Sequence, residues 1–252
     1  MKIKRLFLDI ETSPNVVYSW RLGSRIALTH DNIVEERKII CACWKWQGNP
    51  KVYSEHWTGE EDKPIIVKVC EALALADEVV THNGENFDLT WLRTRALVYD
   101  LDFPAYIPSF DTKKVAARMF HFNSNRLAYL AQFLGVGQKI KVDFELWREV
   151  MRGNSKALKT MVRYCARDVV VLEKVFNKLR TMSLPKIHHG VAGYLTKAHC
   201  VNCGGLALRQ VKMMVTPAGT KKHLMRCSKC QSQFFMNNKT WTTYKALRAE
   251  AA

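Results

Sequence analysis

Leu6-Phe7-Leu8-Asp9-Ile10-Glu11-Thr12 is an apolar run interrupted by two carboxylates. Its composition reads as a first strand over 3–10, buried at the centre of a sheet. Side chains alternate faces along a strand, so Asp9 and Glu11 point the same way. Two neighbouring acids repel, and burial without a counter-charge would cost several kcal/mol or neutralise one of them. A hard divalent cation removes the conflict, so the acids ask where further metal ligands lie.

Downstream of this strand, residues 13–36 read as a long irregular loop. Lys38–Trp46 alternates, placing Ile40, Ala42, Trp44 and Trp46 on one face, and Lys51–Trp57 follows a Gly48-Asn49-Pro50 turn. Pro64 opens a helix through Ala76, and Glu78–Thr81 is a short strand. Helices are expected over 87–98, after Ser109–Thr112 (capped by Ser109 or Asp111), and over 126–134. Residues 136–153 are mixed, and a long helix spans 155–182. Three strands followed by helix–strand units predict an α/β domain with a mixed sheet.

Two further acids stand out. Asp88 follows His82-Asn83-Gly84-Glu85-Asn86-Phe87 at a strand-to-helix turn. Taken alone, it reads as an ordinary first-turn acid stabilised by the helix dipole. Asp168 is different. It falls in the apolar stripe Met161, Cys165, Asp168, Leu172, Val175 or Phe176, and Leu179, spaced three and four apart, so it faces the core. An acid there needs a partner or a metal. Tyr164 lies one turn earlier on nearly the same face.

Asp9-Ile10-Glu11-Thr12, Asn83-x-x-x-Phe87-Asp88 and Tyr164-Cys165-x-x-Asp168, in this order, resemble the three motifs of the DEDD (DnaQ-like) 3′–5′ exonuclease superfamily. The tyrosine four residues before the last Asp is similar to the DEDDy branch. The wording is nearest to the proofreading domains of family B DNA polymerases and to free-standing phage and bacterial relatives. The resemblance covers residues 3–182. It implies an RNase H-like, mixed five-stranded sheet flanked by helices. It also implies two-metal phosphodiester hydrolysis from the 3′ end of nucleic acid, with DNA favoured over RNA and a single strand as the form attacked. Two Mg²⁺ or Mn²⁺ ions are the implied cofactors, with Asp9, Glu11, Asp88 and Asp168 as ligands. Tyr164 would orient the attacking water, since a phenol of pKa about 10 is a poor base at neutral pH. Thr12, Asn83 and Phe87 are the implied contacts to the terminal nucleotide, though Phe87 reads equally well as a core aromatic. His82 and Asp111 would support these groups from behind.

The remaining 68 residues leave no room for a polymerase domain, so the expectation is a stand-alone nuclease or a subunit. Domains are expected at 1–184, the exonuclease, and 185–252, a small basic unit. That unit carries Cys200-x-x-Cys203 and Cys227-x-x-Cys230 with 23 residues between the pairs. The spacing resembles a β-rich zinc ribbon: two knuckles closing on one structural Zn²⁺. Strands are expected at 206–215 and 234–236. His199 and His223 could substitute as ligands, but such histidines are more often surface residues. Cys41, Cys43, Cys70 and Cys165 read as small buried hydrophobes.

The chain carries 39 Lys+Arg against 23 Asp+Glu, a net +16. Residues 185–252 hold 11 of the cations and a single acid, Glu250, so +10 sits there. Nucleic acid is the expected partner, with a replication or repair protein as a further one. Phe234, Phe235, Trp241 and Tyr244 offer either rings on which bases stack or a small core, and the two phenylalanines read as core. Without an apolar run of about 18 residues no membrane helix is expected, and the N-terminus lacks a signal-peptide pattern. The expected location is cytoplasmic, in a bacterial or phage-infected cell. The competing reading is a nucleic-acid-binding or polymerase-associated accessory protein that uses the same fold as a binding module.

Overall fold

The structure is a computed structural model; it describes residues 3–250 apart from 24, 59, 60, 139 and 141. In chain order the elements are β1 (Arg5–Thr12), β2 (Val16–Val17), β3 (Ile33–Glu35), β4 (Ile39–Trp46), β5 (Tyr53–His56), α1 (Lys63–Ala74), β6 (Glu78–Thr81), α2 (Asp88–Val98), β7 (Ser109–Asp111) and α3 (Thr112–Met119). There follow α4 (Leu127–Phe133), α5 (Phe144–Met151), α6 (Ser155–Leu179), α7 (His189–Ala192), β8 (Leu208–Val215), β9 (Lys221–Cys227), β10 (Gln233–Asn237) and α8 (Asn238–Glu250).

The main sheet has the order β5-β4-β1-β6-β7. β1 is antiparallel to β4 and parallel to β6, and β7 continues parallel. The mixed, five-stranded sheet expected from the sequence is present. β1 is its middle strand and runs two residues further than expected, through both acids to Thr12. Leu6, Phe7 and Leu8 are fully buried, because both faces of the sheet are covered. Alternation puts Phe7 on the α6 side, where its ring meets Phe176 edge-on at 5.3 Å. Asp9 and Glu11 follow on that same side.

β4 departs from simple alternation: Ile39 to Lys45 are all buried. α6 covers the face that would otherwise have been wet, and Lys45 is tolerated there by its ion pair with Glu173 of that helix. The stretch 13–36 is not wholly irregular, since β2 and β3 pair into a small antiparallel ladder. Asp111 caps α3, accepting from the N–H groups of Lys113 and Lys114, and Asn154 caps α6 in the same manner. Cys41, Cys43 and Cys165 are buried; Cys70 is only partly so.

The C-terminal strands form a separate sheet, β10-β9-β8, with its own apolar cluster around Met225, Phe234, Met236 and Tyr244. It meets the main sheet at the starting ends of β1 and β6. Arg5 donates to Glu78 at 2.5 Å and to His189 at 2.8 Å, all three residues being at most 3% exposed. Asn202 and Ser232 both donate to the carbonyl of Arg180, just past α6. Arg5 lies about 13 Å along β1 from Asp9, at the ordinary strand rise. The small sheet therefore docks at the end of β1 away from the acids. Among the described residues no helix is long and apolar enough to cross a membrane.

Candidate active site and metal centres

Three carboxylates converge where β1 passes under α6. One oxygen each from Asp9, Glu11 and Asp168 lies within 4.8 Å of the others. β1 supplies the first two by alternation. α6 supplies the third because its apolar stripe, from Ala157 to Leu179, fixes which side of the helix faces the sheet. Asp168 is 2% exposed, as its place in that stripe predicted. Cys165, one turn earlier, donates its thiol to the carbonyl of Asp9 at 3.4 Å, which ties the register of the helix to the strand.

Asp88 enters from the start of α2. It is buried, and Oδ1 accepts from the N–H of Ile10 at 3.1 Å, between the two β1 acids. Burial raises its pKa to about 7, the Asp111 charge adding to the effect and main-chain hydrogen bonds opposing it. It is not one of the three oxygens that cluster, but it lines the same cleft.

The turn that leads to Asp88 is tightly built. Asn83 has φ +73°, a left-handed conformation that Asn tolerates better than most residues. Its N–H donates to Asp111 at 2.9 Å. A Cβ on Gly84 would lie 2.4 Å from the Thr81 side chain. His82 bonds Thr112 at 2.8 Å and the Asn125 carbonyl at 2.9 Å, so it braces the turn against α3 and the loop before α4.

The acids, Asn83, Phe87 and Tyr164 line one cleft of about 360 Å³. Phe87 is half-buried against the core and also forms cleft wall. Lys113 and Arg126 also line the cleft, and Lys113 reaches Asn83 Oδ1 at 3.3 Å. Both cations are exposed and belong to none of the sequence motifs, which is why sequence reasoning missed them.

Thr12 faces a second cleft, of about 430 Å³, which Tyr164 shares with the first. There the indole N–H of Trp147 donates to the Thr12 carbonyl at 3.1 Å, and its ring meets Tyr164 at 6.3 Å. Trp147 comes from α5, in the stretch whose sequence looked mixed. Thr12 thus stands beside the acid cleft rather than in it.

The donor set suits a metal. Carboxylate oxygens converging from one strand and one helix, in an open cleft, are the ligands that hard cations such as Mg²⁺ or Mn²⁺ take. In the small sheet, the four sulfurs of Cys200, Cys203, Cys227 and Cys230 lie within 4.8 Å of one another. The Cys200–Cys230 and Cys203–Cys227 pairs are each 3.6 Å apart, with no disulfide. Four thiolates at that separation need a cation, and a soft, tetrahedral S₄ set points to zinc or iron. His199 and His223 stand outside the sulfur cluster. His223 is buried rather than on the surface, stacked on Trp241 at 5.0 Å.

A family model described as RNase_H superfamily matches residues 34–180, more than half of the chain. The chain belongs to the RNase H superfamily. A DNA polymerase of Methanocaldococcus jannaschii is 23% identical over 137 residues, which are 46% of this chain and 8% of that protein. The family B DNA polymerase from the hyperthermophilic archaeon Pyrobaculum calidifontis superposes with a TM-score of 0.54 at 16% identity, over 70% of this chain and 24% of that one. At that identity the second comparison speaks for the fold. The chain spans a small part of either relative. The superfamily match begins after β1, so Asp9 and Glu11 rest on the geometry described above.

Proposed function

We propose that this chain is a metal-dependent 3′–5′ exonuclease of the DEDDy kind. The observation that carries the proposal is the convergence of Asp9, Glu11 and Asp168, with Asp88 and Tyr164 lining the same open cleft. Both relatives are DNA polymerases, which favours DNA as the polymer.

Bound divalent ions would polarise the scissile phosphate and make an attacking water acidic. This chain's residues do the rest. Asp9, Glu11 and Asp168 would hold the ions. Asp88, fixed by the Ile10 N–H, would complete their ligand set. Tyr164, braced by Trp147, gives the attacking water its direction. Asn83 and Phe87 meet the terminal nucleotide, Phe87 by offering its ring to the last base. Thr12 meets the strand next to it, in the adjoining cleft. Lys113 and Arg126 attract the phosphates to the mouth of the acid cleft.

Residues 1–184 form the nuclease in this reading, and 185–252 a zinc ribbon with one structural Zn²⁺. Eight free thiols suit a reducing compartment such as the cytoplasm. The test is an end-labelled single strand incubated with Mg²⁺ or Mn²⁺. Shortening is expected from the unaltered chain and not from Asp9→Ala or Asp168→Ala. Equal shortening by those variants removes the proposal.

A further inference from the structure

The small sheet has two unlike faces. One lies under α8: Met225, Phe234, Met236 and Tyr244 are at most 5% exposed, and the Tyr244 hydroxyl donates to the Leu208 carbonyl. The other face is open. Directly paired residues of antiparallel strands share a face, so the register defines it row by row. Arg209 pairs with Arg226, and Arg226 with Gln233. Lys212 pairs with Leu224, and Leu224 with Phe235. Met214 pairs with Lys222, and Lys222 with Asn237.

These three rows contain four cations and no acid. The middle row ends on Phe235, a residue 52% exposed. Both phenylalanines read as core from the sequence, but alternation sends Phe234 inward, at 3% exposed, and Phe235 out onto this face. Gln231 accepts from the Arg226 guanidinium at 3.0 Å and holds it in place. The one acid in the tail, Glu250, belongs to α8, which packs on the opposite face.

We infer that the open face of β8, β9 and β10 binds single-stranded nucleic acid, with Arg209, Lys212, Lys222 and Arg226 on the phosphates and Phe235 under a base. The charge is complementary to a polyanion and to nothing apolar. An exposed ring set among cations on a flat sheet suits unstacked bases, which a duplex does not offer. An acidic protein would match the charge but leave Phe235 without a purpose. The inference rests on the reading of the chain as one that acts on nucleic acid, and extends it. The small sheet docks at the end of β1 away from the acids, so this face would grip strand beyond the nucleotides in the cleft.

The experiment measures binding of labelled single-stranded DNA and RNA by the full, zinc-loaded chain carrying Asp9→Ala, over a range of salt. Lys212→Glu with Lys222→Glu should weaken binding by about tenfold or more and lower the salt slope by about 1.4, the share of two phosphate contacts on a single strand. Phe235→Ala should weaken it by about tenfold with the slope unchanged. Lys239→Glu with Arg248→Glu, matched in charge but on α8, should change it little. Metal content and unfolding temperature show that each variant keeps its fold. Equal loss from the two charge pairs, or unchanged binding by the face variants, overturns the inference; unchanged binding would leave the face to a protein partner. Hydrolysis is not read in this experiment. Failure of the shortening assay, with binding through this face retained, would remove the nuclease reading and leave this inference standing.

Discussion

The carboxylate of Asp88 accepts a hydrogen bond from the main-chain N–H of Ile10, the residue between Asp9 and Glu11. One bond thus joins the start of α2 to the strand that carries two of the clustered acids. Burial of the carboxylate outweighs what that bond returns and raises the Asp88 pKa to about 7. A raised acid is protonated in the fold where it is ionised in the unfolded chain. Stability of the metal-free protein should therefore fall as pH rises from about 4 to about 7. Asp88→Asn keeps an oxygen for Ile10 and removes the charge. It should raise metal-free stability at pH 7 by on the order of 2 kcal/mol while lowering hydrolysis steeply. Urea unfolding at pH 5 and pH 7, with a turnover assay, checks both signs.

Asp62 supports the other side of β1's exit. It is fully buried and accepts from Ile39 N–H, from Arg95 twice and from Tyr99. Burial raises its pKa, but the bonds from Arg95, Ile39 and Tyr99 outweigh this and hold it below the usual carboxylate range. A depressed acid contributes stability above its unfolded pKa, and that contribution disappears as pH falls through the folded value. Asp62→Asn should cost about 3 kcal/mol at pH 7, since it leaves Arg95 without its counter-charge. The gap to the unaltered chain should narrow below about pH 4. Denaturation midpoints at pH 7 and pH 3 measure this.

Gly84 leaves no room for a side chain. Gly84→Ala must push Thr81 or the turn itself aside, at about 1–3 kcal/mol. Because the turn carries Asn83, Phe87 and Asp88, activity should fall more than the loss of stability alone explains. Comparing kcat well below the melting temperature with the thermal midpoint separates the two effects.

Removing zinc should unfold the small sheet and spare the large one. The buried residues of the C-terminal cluster are few, so its folding should depend on the metal. One Zn per chain is expected by metal analysis. After chelation, or in Cys200→Ser, protease cuts should appear beyond residue 186 with the five-stranded domain intact. A Cys200→Ser chain that keeps full zinc would contradict the ligand set.

Much of the site was legible because its parts obey simple periods. Period two put Asp9 and Glu11 on one side, and the three–four spacing around Asp168 turned it inward. Asp88 was ambiguous by itself, since a first-turn acid is common, and only the other acids gave it meaning. β4 was only half legible: Cys41 and Cys43 read as buried, but the burial of Lys45 on their face follows from the α6 that covers it. The β2–β3 ladder was missed because two and three residues are too few to show a period. β9 and α8 were hidden by their lysines, which carry no apolar signal on the exposed sides. Trp147, Lys113 and Arg126 reach the clefts only through tertiary packing.

The proposed function requires direction as much as hydrolysis. A single strand of DNA labelled at its 5′ end, with Mn²⁺ or Mg²⁺, should give a ladder that shortens one nucleotide at a time from full length. A 3′ label should leave as a mononucleotide at once, and both should vanish in Asp9→Ala. Internal cuts appearing first, or a labelled mononucleotide released first from the 5′ end, would contradict it.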